Sequence, residues 1–447
     1  MASTNLSRTL SSGAAINKFT LSMWVKRSVD TAGRLFTATG SSGDTYFRFN
    51  GDATMEWSGD ASNASSAGYF ITNRKFDDYS GWYHLVIRFD STQGSASDRV
   101  RFYVNGVQEE SFSSYTDVNQ NAVDKINLSG NTHYIGGTVS SQYFHGLMSH
   151  VNYSDGYSYA PTEFGETDST TGEWKIQASP SISYGTNGFF ILKDGATLTD
   201  SSPNSNNFAV ANGTLTNTED NPSNVFATIN GLFQPDPSNG TFSTTNGGLS
   251  FTTNITSQSM MGVSTIGATS GKYYAEFKLT GESGAARSFA GIGYNIYDQA
   301  TTSLNADNNF MWNVCSNGVS NQGGSAQPSG NWSNLYTTND IISVAMDLDN
   351  NKVYFAKNGQ YADGSGNWDE AFTGSPAYAT ITADKTYFFC AGDIASSTNS
   401  SWTCNFGNGY FATTAISSEG TNASGIGKFE YDVPAGYTAL STKGLNL

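Results

Sequence analysis

The segment 340–360, DIISVAMDLDNNKVYFAKNGQ, has the sequence pattern of a β-hairpin. Apolar side chains alternate with small or polar ones on both sides of a turn-forming stretch, 348–351; they are Ile342, Val344 and Met346 before it and Val353 and Phe355 after it. A period of two residues predicts strands. The dipeptide Asn358-Gly359 tolerates positive φ and predicts the next chain reversal.

The first half of the chain repeats this order of features. Residues 82–90, WYHLVIRFD, are followed by a polar turn and by residues 100–106, VRFYVNG, which again end in Asn-Gly. A chain of 447 residues also exceeds what one hydrophobic core usually serves. The sequence therefore predicts two β-modules of related architecture, each built around one such hairpin.

The composition agrees with many short strands joined by turns. Charged residues make up only 13% of the chain, whereas Gly contributes 48 residues. Aromatic residues at 13% supply the large buried surfaces that two cores require. The net charge of −16 argues against nucleic acid and anionic membrane as partners, because both need clustered Lys and Arg.

The cysteines and the hydropathy pattern do not indicate a secreted protein or a membrane protein. Three cysteines, Cys315, Cys390 and Cys404, imply no disulfide framework, although Cys390 and Cys404 could pair. The first residues, MASTNLSRTLSSGAAINKF, lack a cationic region followed by an apolar one, so we expect no secretory signal. No apolar run has the length of a membrane span, so we expect release by lysis or retention where the protein is made.

The first half of the chain carries an ordered set of strand segments that resembles a known module. These are FTLSMWVK (19–26), GWYHLVIRFD (81–90), RVRFYVNGVQ (99–108), HYIGG (133–137) and FHGLMSHVNYSDG (144–156). In this order they resemble the laminin-G or pentraxin type of concanavalin A-like lectin module, over about residues 15–175. The resemblance implies a concanavalin-like antiparallel β-sandwich.

The segments that follow this module carry a second resemblance. They are TEFGETDSTTGEWK (162–175), GFFILKD (188–194) and the Ser- and Asn-rich segment 200–208. They are similar to stretches that follow such lectin modules in structural and tail proteins of tailed bacteriophages, marine ones especially. From the residues alone, GFFILKD is predicted to be a late strand of the first sandwich and the segment 200–208 an Asx-rich surface turn.

Residues 211–240 lose periodicity and gather prolines, which predicts a linker. Beyond it, an ordered set of segments resembles the SPRY/B30.2 module over roughly residues 245–435: GKYYAEFKLTG (271–281), AGIGY (290–294), the hairpin of 340–360, TYFFCAG (386–392) and WTCNFG (402–407). An Asn-, Ser- and Gly-rich insertion, 303–338, departs from that family, so its ligand preference is not carried over.

These observations predict an all-β protein with two concanavalin-like antiparallel β-sandwich (jelly-roll) domains in tandem. The predicted boundaries are 1–210 for the lectin-like domain, 211–240 for the linker and 241–447 for the SPRY-like domain. Because both families share the concanavalin-like sandwich, the repeated hairpin needs no recent duplication.

Catalytic patterns are weak in this sequence. A retaining glycosidase needs two carboxyl groups about 5–5.5 Å apart, which an E-x-D-x-E strand supplies. The nearest match, Glu166 to Thr170, ends in Thr170 where the pattern has its second Glu. Asp347 and Asp349 lie at a predicted hairpin tip. The four histidines, His84, His133, His145 and His150, accompany no nucleophile elbow and no short metal-ligand spacing. We therefore expect no enzymatic activity and disfavour a laminarinase-like hydrolase.

No organic cofactor is indicated, whereas calcium stays open. Laminin-G modules often bind this ion through loop carbonyl and Asp oxygens, which leave little trace in a sequence. Asp44, Asp77 and Asp78 are loop acids that could serve, and simple surface solvation is the alternative for each. Gly291-Ile292-Gly293 lies in a strand pattern and lacks the helix and third glycine of a dinucleotide site.

Loop aromatics are the remaining candidates for a binding site, because flat rings bind the C–H surfaces of sugars. Trp312, Trp332, Tyr336 and Trp368 fall in or next to turn-rich segments of the second module. We predict that the insertion 303–338, together with Trp368, forms the contact surface for a glycan or a partner. The alternative is that these rings close the open ends of the sandwich, and the same two interpretations apply to the first module's Tyr153, Tyr157 and Tyr159.

The resemblance to phage proteins implies a role and a location. The expected role is that of a non-enzymatic surface protein of a virion, of the tail-fibre or adhesin type, made in the host cytoplasm and forming a homo-oligomer. Its expected partners are host surface glycan and other virion proteins, without nucleic acid or membrane insertion. The alternative is a capsid head-decoration protein that recognises no host.

Overall fold

The computed structural model describes most of the chain: residues 4–40, 43–59, 68–193, 195, 197–233, 238, 240–257, 259–283, 287–294, 311–317, 320–322, 325–327, 335–363, 367–374, 377–394 and 397–447. The protein consists of two compact units. Unit 1 comprises Met1–Asn217 with Asn221–Ser223, and unit 2 comprises Thr218–Asp220 with Asn224–Leu447. Within the described residues, regular structure consists of strands and short 3-10 helices.

The strands of unit 1, in chain order, are β1 Asn5–Thr9, β2 Lys18–Arg27, β3 Gly33–Gly40, β4 Gly43–Phe49, β5 Thr54–Ser58, β6 Tyr69–Lys75, β7 Tyr83–Asp90, β8 Val100–Val104, β9 Val107–Glu109, β10 Phe112–Thr116, β11 Thr132–Ile135, β12 Gly146–Asp155, β13 Gly165–Thr167, β14 Trp174–Ile176, β15 Phe189–Ile191 and β16 Ala209–Asn212. Its 3-10 helices are Ala96–Asp98, Lys125–Asn127 and Pro161–Glu163.

Unit 1 is a β-sandwich of two large antiparallel sheets. One sheet has eight strands in the order β10-β6-β5-β4-β3-β11-β1-β16, and the other has six in the order β15-β12-β2-β7-β8-β9. The alternating apolar side chains of both sheets meet in one core, which includes Phe19 and Phe89 stacked at 4.8 Å between ring centroids. A small β13-β14 hairpin lies apart from these sheets.

The strands of unit 2 are β17 Gly240–Thr245, β18 Ser250–Ile255, β19 Met260–Val263, β20 Lys272–Ser283, β21 Ser288–Gly293, β22 Met311–Cys315, β23 Ser320–Gln322, β24 Ser325–Gln327, β25 Ile341–Asp347, β26 Lys352–Lys357, β27 Gln360–Ala362, β28 Trp368–Glu370, β29 Ala379–Thr380, β30 Phe388–Asp393, β31 Asn399–Asn405, β32 Tyr410–Phe411, β33 Thr414–Ala415 and β34 Thr438–Ala439. Its 3-10 helices are Asn246–Gly248 and Gly444–Asn446.

Unit 2 is a second β-sandwich. Its larger sheet has ten strands, with the main order β17-β18-β31-β20-β25-β26-β27-β28, and its smaller sheet has six in the order β19-β30-β21-β22-β23-β24. The described strand pairings are antiparallel except for β34, which lies parallel to β20. The predicted all-β class and the two-sandwich architecture are therefore confirmed.

Both predicted hairpins are present, at different places in their sandwiches. β25 pairs with β26 from Ile342↔Lys357 to Asp347↔Lys352, inside the ten-stranded sheet. β7 pairs with β8 from Leu85↔Val104 to Phe89↔Val100, inside the six-stranded sheet of unit 1. The shared sequence pattern thus reports a local hairpin and not an equivalent position in the fold.

The outer face of the ten-stranded sheet is covered by residues 426–440, which we call the C-terminal strap. Phe429, Val433 and Tyr437 of the strap pack against Tyr274 and Tyr361 of the sheet, and all five are buried. The strap also ends in β34, which adds backbone hydrogen bonds to β20. The part of this face around Tyr274 and Tyr361 is consequently closed to solvent by the protein's own chain.

The region predicted as a linker, 211–240, differs from that expectation. Residues 211 and 212 belong to β16, and Phe226, Ala227 and Ile229 are buried in unit 2. Isolated bridges join Phe226 to Ser441 and Ile229 to Ser264. The apolar run Val225 to Ile229 provides the physical reason, because these side chains find a core despite the surrounding Asn and Pro.

Two further segments refine the sequence predictions. GFFILKD contains strand β15, as predicted, whereas the segment 200–208 is tied inward by the buried Asp200. The Asp200 carboxylate accepts hydrogen bonds from the backbone N–H groups of Phe190, Ser202 and Asn206 at 2.7–2.8 Å. The three cysteines are free and buried, so Cys390 and Cys404 do not pair.

No helix among the described residues is both long and apolar enough to cross a membrane.

Candidate functional site

The outer face of the eight-stranded sheet in unit 1 carries a row of aromatic and hydroxyl side chains. Strand register places one residue of each strand in line across the sheet, in the order Ser7, Tyr134, Thr37, Tyr46, Ser58, Tyr69 and Thr116. We call Tyr134, Tyr46 and Tyr69 the tyrosine row. Each tyrosine is half-buried. Between one tyrosine and the next lies a strand that contributes a small residue, Thr37 or Ser58, to the line.

The spacing of the tyrosine row follows from the sheet itself. Neighbouring strands lie about 4.8 Å apart, so tyrosines on alternate strands are about 10 Å apart. The alternation of β4 shows how the sequence produces this face. Thr45, Phe47 and Phe49 point into the core, so Tyr46 and Arg48 point outward.

The centre of this face is a hydrogen-bonded network around Glu56. The Tyr46 hydroxyl donates to Glu56 Oε1 at 2.5 Å, and Arg48 Nη2 donates to Glu56 Oε2 at 2.8 Å. Both carboxylate oxygens therefore have a side-chain donor. These contacts fix the positions of the tyrosine ring and the guanidinium group before any ligand arrives.

A second ion pair borders the same ring. Arg34 Nη1 donates to Asp44 Oδ2 at 2.9 Å, and Arg34 Nε donates to Gln142 Oε1 at 2.7 Å. The Arg34 guanidinium carbon lies 4.2 Å from the centroid of the Tyr46 ring, and that of Arg48 lies 5.3 Å from it. Cation–π attraction thus adds to the forces that hold Tyr46 in place.

The electrostatics of the face are balanced. Arg34 and Arg48 are matched by Asp44 and Glu56, so the network carries no net formal charge. Burial, together with the hydrogen bond to Glu56, raises the pKa of Tyr46 to about 12, which keeps its hydroxyl protonated at neutral pH. Such a face suits a neutral ligand with many hydroxyl groups and apolar C–H surfaces.

The aromatic residues predicted as the ligand contact are placed differently. Trp312, Tyr336 and Trp368 have exposed fractions of 3%, 1% and 6% and belong to the core of unit 2. Trp312 lies in β22 within the predicted insertion, and the Tyr336 hydroxyl donates to the backbone carbonyl of Ser288 at 2.5 Å. Trp332 lies outside the described residues.

This burial agrees with the alternative interpretation, in which these rings close the sandwich. The reason is local: within the described residues of the insertion, 311–315, 320–322 and 325–327 are strands that continue the six-stranded sheet. The binding role of these four aromatics stays a prediction. In the first module, Tyr153 is buried in the core, while Tyr157 is exposed and stacks on Tyr159 at 5.9 Å.

The carboxylates considered for catalysis have structural hydrogen bonds. Asp168 accepts from the backbone N–H groups of Thr170 and Thr171 at 2.9 and 2.7 Å and forms an ion pair with Lys175. At the hairpin tip, Asp347 accepts from the N–H of Asn350 and pairs with Lys272. Turn capping and surface ion pairing account for both groups.

His84 forms a contact with Ser22 that resembles a catalytic dyad, but its proton lies on the wrong nitrogen. His84 Nδ1 accepts from the Trp174 indole N–H at 3.0 Å. Burial lowers the pKa of His84 to about 3, so the ring is neutral and its single proton lies on Nε2, 2.9 Å from Ser22 Oγ. Nε2 therefore donates to the serine and cannot accept its proton.

Two of the three candidate calcium ligands, Asp44 and Asp78, have other partners. Asp44 is paired with Arg34, and Asp78 Oδ1 accepts from the backbone N–H and the hydroxyl of Ser80 at 2.8 and 2.5 Å. Across the part of the chain that the structure describes, no group of three or more His, Cys, Asp or Glu side chains is arranged to hold a metal ion. The question of calcium therefore stays open, with surface solvation of these acids as the alternative.

Comparison with known families bears on the first part of the chain. The model of the concanavalin A-like lectin/glucanases superfamily matches residues 4–160. The match includes every member of the tyrosine row and the Glu56 network. Residues 4–160 are therefore similar to concanavalin A-like lectin domains, and the predicted resemblance of this part of the chain is confirmed. In sequence, no curated protein matches the chain.

The solved structures similar to this chain include the following three. The SPRY domain of human HERC1 has 16% identity and a TM-score of 0.26, covering 35% of this chain and 87% of its own. An SAP-like pentraxin from Limulus polyphemus has 20% identity and a TM-score of 0.26, covering 35% and 72%. A Bacteroides ovatus protein described as a proposed carbohydrate-binding protein has 13% identity and a TM-score of 0.32, covering 48% and 60%. At these identities and scores, none of the three informs the function of this chain.

The tyrosine row could not be identified from the sequence. Tyr46, Tyr69 and Tyr134 each lie in an alternating strand, on the side opposite the apolar residues. That alternation marks them as outward-facing, but strand order is needed to see that they form one row. The signal present in the sequence is an aromatic residue at an outward position on three separate strands.

Proposed function

We propose that this protein binds glycan without transforming it and that unit 1 provides the binding surface. The observation that carries the proposal is the tyrosine row with its central Glu56 network, on an open face of a lectin-type sandwich. Tyr134, Tyr46 and Tyr69 offer rings for C–H surfaces, while Arg34 and Arg48 offer donors for hydroxyl groups. The network is arranged in advance, which reduces the entropy cost of binding.

The direction of the row favours an extended chain over a single sugar. The three tyrosines lie along a line perpendicular to the strands, with the small, buried side chains of Thr37 and Ser58 between them. A ligand that spans the row contacts all three rings, whereas a monosaccharide contacts one. Affinity is therefore expected to rise with oligosaccharide length until the row is filled.

Alanine substitution of the outer tyrosines tests the proposal. Tyr69→Ala and Tyr134→Ala are expected to weaken binding of neutral glucan, mannan or galactan oligosaccharides by about 2 kcal/mol each, roughly 30-fold, if the rings are desolvated anchors. Isothermal titration calorimetry with oligosaccharides of increasing length measures this effect. The matched control is Tyr157→Ala, an exposed tyrosine outside the row.

Two results would contradict this proposal. One is unchanged affinity in both row variants, and the other is equal loss in Tyr157→Ala. Trp368→Ala tests the aromatic residues of unit 2 separately. Loss of binding with unchanged stability would show that the binding site includes these residues. The expected result is the reverse, because Trp368 is buried.

The absence of catalysis forms part of the proposal. Glu56 and Asp44, the carboxylates on this face, are each engaged by a guanidinium group, and Asp168 caps a turn. We expect no release of reducing ends from laminarin or agarose. Release that Glu56→Gln or Glu166→Gln abolishes would overturn this part.

We further propose that the protein is displayed on a tailed-phage virion, where it contacts other virion proteins and host surface glycan. The support is the resemblance of segments 162–175, 188–194 and 200–208 to phage structural and tail proteins. Imaging of virions labelled with an antibody to this protein would separate a tail location from the alternative, a head decoration. Labelled heads combined with no binding to host cells would favour the alternative.

A further inference from the structure

Between β12 and β15 the chain leaves the six-stranded sheet of unit 1 and passes over part of its outer face. Phe164, in this connection, packs against the cross-strand partners Val86 and Tyr103, and all three side chains are buried. The β13–β14 hairpin follows directly, at residues 165–176, and we call it the lid hairpin. The chain itself therefore covers this part of the sheet.

Trp174 of β14 joins the lid hairpin to the sheet. Its indole N–H donates to Nδ1 of His84 in β7 at 3.0 Å, and the two rings lie at 18° to each other. The Trp174 ring also lies so close to Gly106 and Gly165 that neither position has room for a Cβ atom. A close fit and one directed hydrogen bond thus hold the hairpin in place.

The hydrogen bond from Trp174 requires a neutral His84. Nδ1 is the acceptor, and the single ring proton lies on Nε2, 2.9 Å from Ser22 Oγ. A second proton could bind only at Nδ1, where it would face the indole N–H, so that one donor would lie opposite another. Protonation of His84 and the hydrogen bond that holds the lid hairpin therefore exclude each other.

The described groups that face the His84 ring do not compensate a positive charge. These groups are Ser22, Trp24 and Lys26 on β2, Tyr103 and Asn105 on and after β8, His150 on β12, and Phe164 and Trp174 on the covering segment. Of the acids on the lid hairpin, Glu166 and Glu173 are exposed, and Asp168 is paired with Lys175.

Hydrogen-bond acceptors are already short in this buried cluster. The Trp24 ring stacks on His84 at 4.8 Å between centroids and is buried, and its indole N–H has no acceptor in the described structure. A second N–H on His84 would add another buried donor without an acceptor, which destabilises the closed arrangement. Burial, with a smaller contribution from His150, accordingly lowers the pKa of His84 to about 3.

We propose that the lid hairpin is a pH-sensitive lid, which acid releases from the six-stranded sheet through protonation of His84. In the released state His84 contacts water and regains its ordinary pKa of 6.5, whereas in the closed state its pKa is lowered. The proton therefore binds preferentially to the open state. The stabilisation of the closed state is complete above pH 6.5 and is lost progressively as the pH falls toward 3.

Release uncovers a surface that the closed lid buries. Val86 and Tyr103 lie beneath Phe164, on the outer face of the six-stranded sheet. The tyrosine row lies on the outer face of the other sheet, at the opposite side of the sandwich. Opening of the lid is therefore independent of the proposed glycan site, and its test needs no glycan.

Hydrogen exchange of the full chain, followed by mass spectrometry between pH 7 and pH 4.5, tests the lid. A two-stranded hairpin is marginally stable alone, so amides of 165–176 exchange once the hairpin is released. After correction for the intrinsic pH dependence of amide exchange, their exchange should accelerate by about tenfold per pH unit below pH 6. Peptides from β2 and β7 should stay slow, because their side chains form the core of unit 1. Equal acceleration in all of these peptides would mean unfolding of the whole unit and would overturn the proposal.

Two variants separate His84 from the rest of the contact. His84→Gln removes the titrating group, so the acceleration in acid should disappear. Trp174→Phe keeps a ring against Gly106 and Gly165 but lacks the indole N–H, so 165–176 should exchange at least about threefold faster already at pH 7. If His84→Gln does not fold, Trp174→Phe decides alone.

His145→Gln is the matched control, at a half-buried histidine outside this cluster. It should keep the pH response of the natural chain, and so should His150→Gln. An unchanged response in His84→Gln would overturn the proposal, as would unchanged exchange at pH 7 in Trp174→Phe or a natural chain that shows no acceleration down to pH 4.5.

Discussion

The outer faces of the two largest sheets use tyrosine in opposite ways. On the eight-stranded sheet of unit 1, Tyr46, Tyr69 and Tyr134 are half-buried, so part of each side chain contacts solvent. On the ten-stranded sheet of unit 2, Tyr274 and Tyr361 are buried beneath the C-terminal strap. The same residue type, at the same kind of position, is a binding candidate in one unit and core in the other.

The difference depends on what the chain does after the sheet is complete. In unit 2 the last residues return across the face, and Phe429 packs edge-on against Tyr274 at 4.9 Å between ring centroids. In unit 1 the corresponding surface is organised by ion pairs, and the three tyrosines on it stay half-buried. Outward aromatics therefore indicate function only where no other segment covers them.

The acidic residues of the two faces show the same contrast. Glu56 is met by a guanidinium group and a phenol. Glu276 is fully buried and accepts from the backbone N–H groups of Glu430 and Tyr431, both at 2.9 Å, and from Asn405 Nδ2 at 3.1 Å. Glu276 therefore anchors the strap, whereas Glu56 orients groups that remain accessible.

The largest expected effect is the loss of the strap contact. Phe429→Ala removes a buried ring and leaves a cavity above Tyr274, which should lower the free energy of unfolding of unit 2 by about 3–5 kcal/mol. Tyr134→Ala on the open face is the control, with an expected cost below about 1 kcal/mol. Chemical denaturation of both variants measures the difference, and equal costs would show that the two faces do not differ in coverage.

A smaller effect is expected from pH through Glu276. Burial raises its pKa to about 7 from an ordinary value of 4.5, because loss of hydration disfavours the carboxylate more than its hydrogen bonds favour it. The folded state therefore holds the proton more tightly than the unfolded state. The stabilising contribution is complete below pH 4.5 and is lost as pH rises through 7, by about 3 kcal/mol.

The measurement compares the natural chain with Glu276→Gln, which cannot titrate. Other groups near the strap, such as Asp432, have lowered pKa values and change stability in the opposite direction at lower pH. Subtracting the two pH profiles removes their contribution. A difference that stays flat between pH 4 and pH 8 would exclude titration of Glu276 in this range.

The fold could be predicted from the sequence because its signals are local. Alternation over Ile341–Asp347 and Tyr83–Asp90 identified both hairpins, and turn residues marked where strands end. The linker was harder, since the composition of 211–240 resembles a loop while Phe226 and Ile229 pack as core. A few apolar residues among many polar ones decide that segment, and composition averages over them.

The candidate site could not be predicted in the same way, because it depends on strand order. Tyr134, Tyr46 and Tyr69 are far apart in sequence and meet only because β11, β3, β4, β5 and β6 are neighbours in the sheet. Trp312 and Trp368 stood out in the sequence because of their turn-rich surroundings, yet both are buried. Residue type together with local context predicts neither exposure nor assembly.

The smallest expected effect distinguishes binding through the tyrosine rings from binding through their hydroxyl groups. Tyr134→Phe keeps the ring and removes only the hydroxyl group, so the free energy of unfolding should change by less than about 0.5 kcal/mol. If the row binds sugars through the faces of its rings, oligosaccharide affinity should also stay within about threefold, which corresponds to roughly 0.7 kcal/mol.

Tyr46→Phe provides the comparison, because the Tyr46 hydroxyl donates to Glu56 and its loss leaves one oxygen of the central carboxylate without this donor. Calorimetric titration of both variants should therefore show a larger loss for Tyr46→Phe than for Tyr134→Phe. The opposite order would mean that hydroxyl contacts at the end of the row, and not the fixed network at its centre, determine recognition.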